Sequence, residues 1–252
     1  MPTIRVMTYN VHSCRGMDGK IIPERIAKVI ESFNPDIVAL QELKIHRHAT
    51  KNIDQPLIIA QHLRMHCHFQ PAIAVEGEDF GISIMSRYPL EIKRAGHLPN
   101  HPSILPKVRG INILLQPREA IWCNIKIENK ELHLINTHLG LRSAERLVQV
   151  KALLDDTWLG KAQKENKPMI LCGDFNAGPR SKPYHLLSEH FQEVKICSKF
   201  KRKKTFMSFM PFIELDHIFF NKHLTLKNIE IPRSRSTRIA SDHLPIIAEF
   251  EI

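Results

Sequence analysis

Ile4-Arg5-Val6-Met7-Thr8-Tyr9-Asn10, then Pro23-Glu24-Arg25-Ile26-Ala27-Lys28-Val29-Ile30-Glu31-Ser32-Phe33, then Ile37-Val38-Ala39-Leu40-Gln41-Glu42 are the segments that decide the fold. The first alternates with the period of two that a strand requires. The turn Met17-Asp18-Gly19-Lys20 separates it from a helix opened by Pro23 and Glu24, with Ile26, Val29, Ile30 and Phe33 on the apolar face. Asn34-Pro35-Asp36 stops that helix, because the residue before a proline is pushed out of the helical region. The third segment is a buried strand. Strand, helix and strand in this order form a crossover unit and predict an α/β chain.

Beyond residue 42 the pattern continues. Residues 54–66 read as a helix, and Ile82-Ser83-Ile84-Met85 reads as a short strand before the turn Ser86-Arg87-Tyr88-Pro89. The prolines within 97–107 predict a loop. Strands are expected at 111–115, 120–127 and 132–136, the last two joined as a hairpin by Glu128-Asn129-Lys130. Residues 142–158 predict an amphipathic helix with Leu147, Val150, Leu153, Leu154 and Trp158 on one side. Buried strands follow at 169–172, 212–220 and 246–252. No linker or repeat interrupts the chain, so one domain over residues 1–252 is expected. The hairpins require mixed pairing, and the strands are too many for one comfortable open sheet. Two packed mixed sheets with helices outside are therefore expected.

The chain has 252 residues, 43% hydrophobic and 25% charged, as a globular protein does. Ten glycines and 16 prolines exclude collagen-like and low-complexity classes. No apolar run approaches the roughly 18–20 residues of a membrane span. Lys and Arg number 36 against 26 acids, a net charge of +10. That balance favours nucleic acid, phosphorylated small molecules or an anionic membrane surface as partners. The five cysteines form no CxxC, which fits reduced thiols in the cytoplasm, with Cys123 and Cys172 in the core. The chain opens directly on a strand pattern, so no secretory signal is expected. Nothing points to an obligate protein partner.

Apolar runs repeatedly stop at polar residues. Asn10 ends the first strand, Gln41-Glu42 the second, Asn136-Thr137-His138 a third and Gly173-Asp174-Phe175-Asn176 a fourth. Asp216-His217 lies within a strand, and Ser241-Asp242-His243 precedes the last one. Strand ends are where α/β folds gather sites from distant segments. Glu42, Asp174 and Asp242 offer the hard oxygen ligands that suit Mg2+ or Mn2+. Asn10 and Asn176 can meet a phosphoryl oxygen, His138 and His243 can move protons, and Asp216 can fix the tautomer of His243. The inventory suits metal-assisted attack of water on a phosphate ester. Any one of these elements alone is ordinary turn chemistry more often than function. Six in one chain are not.

Thr8-Tyr9-Asn10-Val11-His12, Val38-Ala39-Leu40-Gln41-Glu42, Asn136-Thr137-His138-Leu139, Gly173-Asp174-Phe175-Asn176, Leu215-Asp216-His217-Ile218 and Ser241-Asp242-His243-Leu244-Pro245 occur in that order. In this the chain resembles the endonuclease/exonuclease/phosphatase superfamily, the deoxyribonuclease I-like fold. The resemblance implies a four-layer sandwich and a divalent-metal phosphoesterase. It implies that Glu42 is the principal metal ligand, with Asn10 and Asp242 near the ion. Asp174 and Asn176 would position the attacking water and the scissile phosphate, and Asp216 would pair with His243. His138 would hydrogen-bond the phosphate or protonate the leaving oxygen. Two features depart from the pattern. Relatives of the Asn-Thr-His form often carry Glu-Pro-Arg where this chain has Gln116-Pro117-Arg118, and a Gln cannot stabilise an imidazolium as a carboxylate does. The Tyr- and Trp-bearing segments of abasic-site endonucleases are also absent. Asn-Thr-His-Leu-Gly-Leu followed by Arg142 and Arg146 looks closer to the broad bacterial and lipid-acting branches.

Arg118, Arg142, Lys201 and Arg202 are the expected substrate contacts, the last two within the basic run Lys199-Phe200-Lys201-Arg202-Lys203-Lys204. Arg233, Arg235 and Arg238 precede Ser241-Asp242-His243 and are placed at the rim of the site. His62 and His66, spaced for one helix face, lack the further ligands of a zinc site. The expected function is Mg2+-dependent hydrolysis of a phosphodiester, nucleic acid being favoured by charge. Phospholipid or phosphoinositide head groups are the alternative. A binding module without catalysis is disfavoured by the complete polar set.

Overall fold

The computed structural model describes residues 2–48, 51–75, 77–101, 117–164, 166–198, 201 and 203–252. Its strands are β1 (Thr3–Asn10), β2 (Ile37–His48), β3 (Lys51–Asp54), β4 (His66–Val75), β5 (Glu78–Ser86), β6 (Leu90–Leu98) and β7 (Arg118–Ile127). They continue as β8 (Lys130–His138), β9 (Met169–Asp174), β10 (Gln192–Glu193), β11 (Asp216–Phe220), β12 (Thr225–Glu230) and β13 (Ile246–Glu251). The helices are α1 (Pro23–Phe33), α2 (Gln55–Leu63), α3 (Ser143–Leu154), α4 (Leu159–Lys164), α5 (Lys182–Ser188), α6 (Val194–Cys197) and α7 (Arg235–Ala240).

One sheet runs β12-β13-β1-β2-β5-β4, with β3 added to β2, and the other runs β10-β11-β9-β8-β7-β6. Each has one parallel pair, β1 with β2 and β8 with β9, and the neighbours of each pair are antiparallel to it. Ile4, Val6, Ile37, Ala39, Ile82 and Ile84 from the first sheet pack against Ile121, Cys123, Leu132, Leu134, Ile170 and Cys172 from the second. On the far side of the first sheet, Met7, Tyr9, Val38 and Leu40 meet Ile26, Ile30 and Ile59 from α1 and α2. On the far side of the second, Ile135, Met169 and Leu171 meet Val150, Leu153, Leu159 and Leu187 from α3, α4 and α5. The result is the expected four-layer sandwich, helices outside two mixed sheets. Both faces of each central strand are buried, which is why the runs read as nearly continuous apolar sequence.

Helix α1 forms where its spacing predicts, with Pro23 in its first turn and Asn34 closing it in a left-handed conformation. Elsewhere boundaries differ. The helix expected over 54–66 ends at Leu63, where Arg64 turns left-handed, and His66 opens β4. His62 and His66 therefore share no helix face, and His62 lies 3.2 Å from Glu31. The strand expected over 212–220 begins at Asp216, since Phe212 and Ile213 are exposed. Strand β6 carries through Leu98, beyond the expected start of the loop. The strand expected at 111–115, with Gln116, lies outside the described residues.

Asn136 ties the sheets together. Its amide donates to the Leu40 and Ser83 carbonyls of the first sheet, each at 2.9 Å, and its oxygen accepts from Gln41 Nε2 at 2.8 Å. Asn136 and Gln41 are fully buried. Asn136→Ala should destabilise the fold by about 3 kcal/mol or more, since it strands several buried polar groups at once. Chemical denaturation checks this. A loss below about 1 kcal/mol would mean that the groups find other partners.

Candidate active site

Period-two alternation carries polar side chains to one rim of the inter-sheet layer. On β1 the inward row Ile4, Val6, Thr8 ends at Asn10, and on β8 the row Leu132, Leu134, Asn136 ends at His138. On β9 the row Ile170, Cys172 ends at Asp174. Strand β11 runs antiparallel to β9, so the row Phe220, Ile218 reaches the same rim at Asp216, its first residue. The register confirms the gathering: His138 lies beside Asp174, and Asp216 opposite Asp174.

Glu42 arrives by a different route. Strict alternation would place it with Val38 and Leu40 under the helices. Between Leu40 and Leu43, however, β2 carries one more residue than β5, a bulge, and Glu42 adopts φ 61°. A left-handed backbone costs a residue with a Cβ about 1 kcal/mol or more. It turns the carboxylate back toward β1. Asn10 Oδ1 accepts from the His12 amide at 3.0 Å, which fixes the orientation of the side-chain amide. Asn10 Nδ2 then donates to Glu42 Oε1 and to Asp174 Oδ2, each at 2.9 Å. One amide thus bridges two carboxylates from different sheets.

Opposite this pair, His243 Nδ1 lies 2.9 Å from Asp216 Oδ2, which also accepts from Thr205 Oγ1 at 2.5 Å. His243 Nε2 faces Asp174 Oδ2 at 3.8 Å. Asn176, at φ 48°, donates through Nδ2 to the Leu139 carbonyl and lies 3.2 Å from His138 Nε2. Asp242 is partly exposed, 3.8 Å from His12 Nδ1. A cleft of about 780 Å³ opens over Glu42, Arg118, His138, Asp174, Asn176, Asp242 and His243.

The expected cations divide. Arg118 is buried and lines the cleft, 3.1 Å from His138 Nδ1. Arg142 is exposed just before α3, Lys201 is exposed, and neither lines the cleft; Arg202 lies outside the described residues. Arg233, Arg235 and Arg238 likewise stand away from the cleft lining.

Burial alone would lower the pKa of His243, but the charges of Asp216, Asp174 and Asp242 raise it to about 10. Burial would raise Asp216, and the His243 imidazolium and the hydrogen bonds from His243 and Thr205 hold it below the usual carboxylate range. Asp174 goes the other way: burial and the Asp216 charge raise it, partly offset by His243 and Asn10. His138 is pushed well down by burial and by the Arg118 and His243 charges, and Arg118 Nη1 and Asn176 Nδ2 each lie 3.2 Å from its Nε2. This disfavours His138 as a charged general acid.

Two residues, Glu119 and Lys195, escaped the sequence reading. Glu119 stands opposite His138 in the hairpin register, and the inward row Ile125, Cys123, Ile121 of β7 ends on it. It is buried, and burial raises its carboxyl well above the usual range, with Glu42 adding and Arg118 opposing. The alternation that delivers His138 also signals Glu119. Lys195, fully buried, donates to the Asp216 carbonyl oxygen at 2.7 Å. Phe206 packs its ring against His243 with centroids 4.8 Å apart. No local signal in the sequence marks Lys195, because it acts through a contact distant along the chain.

The donor set fits a hard divalent cation. Glu42, His138 and Asp174 each bring a ligand atom within 4.8 Å of the others, and Asp174, Asp216 and His243 do the same. Two carboxylates held against one neutral amide leave negative charge that a cation would offset.

A family model described as the Endonuclease/Exonuclease/phosphatase family matches residues 7–243. The chain is 25% identical over 263 aligned residues to the Escherichia coli protein YbhP, across 99% of this chain and 97% of that one. Among solved structures it is similar to a mannosyl-6-phosphatase of Bacteroides thetaiotaomicron, with a TM-score of 0.75 and 20% identity, covering 99% and 100% of the two chains. It is also similar to the human nocturnin catalytic domain with a bound sulfate anion, with a TM-score of 0.73 and 22% identity, covering 99% and 93%.

NMR titration of the metal-free protein tests the electrostatics. The His243 ring should stay protonated to about pH 10. In Asp216→Asn its pKa should fall by about two units, the usual effect of losing an adjacent opposite charge. An unchanged pKa would show that Asp216 does not set it. Because the folded pKa is raised, the pair's contribution to stability is full below about pH 6.5, declines above it and is gone near pH 10.

Proposed function

The chain belongs to the endonuclease/exonuclease/phosphatase family, and from that premise we propose that it is a Mg2+- or Mn2+-dependent phosphodiesterase. The observation that carries the reading is the Asn10 amide bridging Glu42 and Asp174 across from the Asp216–His243 pair, with the cleft between. Glu42 is assigned as principal ligand, with Asn10 and Asp242 beside it. The cation, when bound, neutralises phosphoryl charge and polarises the ester.

The remaining steps belong to side chains. Asp174, whose raised pKa suits a base, takes the proton of the attacking water as the P–O bond to the leaving group breaks, and the leaving oxygen takes its proton from solvent. The protonated ring of His243 donates to a phosphoryl oxygen as charge builds there, and Asp216 holds that ring in place. Asn176 donates to a second oxygen in place of its contact with His138 Nε2. Arg118 brings fixed positive charge to the phosphate, and His138 holds Arg118 beside it.

The net charge of +10, together with Arg15 and Lys44 in the cleft wall, supports nucleic acid as the diester. Phospholipid head groups form the second reading, supported by Ile21, Leu141 and Phe206 in the same wall. The cysteines are free, which supports a cytoplasmic setting. Among the described residues no helix is long and apolar enough to cross a membrane.

Purified protein should hydrolyse a soluble diester such as bis-p-nitrophenyl phosphate with Mg2+ and lose turnover in chelator. DNA, RNA, phospholipids and nucleotides assayed alongside identify the substrate, and equal rates with and without chelator would exclude the metal. Glu42→Gln should lower kcat by at least about two orders of magnitude with an unchanged melt. Asp216→Asn and His243→Ala should each cost about two orders of magnitude, and the double variant little more. Losses that simply multiply would show that the two residues act independently.

A further inference from the structure

The segment 205–213 combines a rigid base with an apolar tip. At the base, Thr205 Oγ1 donates to Asp216, the Phe206 ring rests on His243, and the Phe206 and Ile213 backbones pair. Ser208, fully buried, donates its amide to the Asp242 carbonyl at 2.7 Å and its hydroxyl to the Arg238 carbonyl at 2.8 Å. From this anchored frame Met207, Phe209, Met210, Phe212 and Ile213 project into solvent, with relative exposures of 43, 53, 79, 52 and 36%. Two more apolar side chains, Ile21 and Leu141, line the cleft mouth at 43 and 72%.

An ordered loop that exposes five large apolar side chains marks an interaction surface rather than slack in the fold. The chemistry around it selects the partner. Residues 205–213 contain no acid, and Lys203 and Lys204 precede them. Arg233 reaches the Lys204 carbonyl, so Lys204 and Arg233 stand together at the base of the loop, with Glu214 following the segment on the other side. An apolar tip with basic shoulders is the pattern that enters the boundary between head groups and acyl chains of an anionic leaflet. Base stacking on single-stranded nucleic acid requires successive aromatic faces along a groove. Here three of the five exposed side chains are Met or Ile.

We propose that residues 205–213 form a docking hairpin that seats the cleft on an anionic phospholipid bilayer, which favours the lipid head group over nucleic acid as the diester presented to it. This rests on the phosphodiesterase reading only for the bond that is cut. The hairpin's base contacts the residues assigned to catalysis, and docking therefore brings the site to the surface without a separate binding domain.

Sedimentation with vesicles in chelator separates binding from turnover. The wild-type protein should bind phosphatidylglycerol-containing vesicles and bind pure phosphatidylcholine vesicles far less. The triple substitution Phe209→Ser, Met210→Ser, Phe212→Ser should weaken vesicle binding by at least about tenfold while hydrolysing bis-p-nitrophenyl phosphate at the wild-type rate and melting at the same temperature. In Phe209→Trp, the added emission should shift to the blue with anionic vesicles. Absent vesicle binding, a triple variant that binds as well as wild type, or a variant that loses single-stranded DNA or RNA instead would each overturn the proposal. Vesicle binding without hydrolysis of the soluble diester would leave docking standing and refute the catalytic reading instead.

Discussion

The hydrogen bonds that cross between the two sheets are the constraint on which the rest of this structure depends. A buried amide with fixed partners across two sheets accepts one register only, because any shift leaves its polar groups unpaired. Asn136 and Gln41 set that register in the interior, and Asn10 repeats the device at the rim by joining Glu42 of one sheet to Asp174 of the other. Sheet packing and site geometry are thus the same problem, solved by three amides along one seam.

Around that seam the protein distributes charge unevenly. Asp216 and Asp174 are both buried acids on paired strands, yet one is held ionised and the other is driven toward its neutral form. The difference lies in partners: Asp216 has the imidazolium at 2.9 Å, a hydroxyl and a nearby buried ammonium, whereas Asp174 has one amide, one backbone N–H, the same imidazolium at 3.8 Å and a like charge opposite. Divergent environments of this kind separate an acid role from a base role in one site.

Much of this was legible in the sequence. The alternating rows on β1, β8 and β9 predict which residue each strand delivers to the rim, and α1 follows from Pro23, its apolar spacing and Asn34. The stretch before Asp216 misleads, because Phe212 and Ile213 have strand composition but face solvent, where composition alone cannot tell a core run from an exposed loop. Strand β4, with His66, His68 and Pro71, lacks the alternation that would reveal it, since an edge strand is half solvated and packs less strictly. The inward turn of Glu42 depends on a bulge that period-two reasoning does not contain. The charged residues expected to meet substrate were the least legible. Among the described ones Arg118 alone reaches the cleft wall, because its strand places it there.

Strand β1 pairs with β13 from Thr3 opposite Glu251 to Thr8 opposite Ile246, and this has a kinetic meaning. Strand β1 is closed by a strand far along the chain, and Asn10 meets Ser241, the neighbour of Asp242 and His243, only once that distant segment docks. Such pairings carry the largest loop-closure entropy and form late in folding. The charge array at the rim is therefore complete only once this long-range pairing has formed.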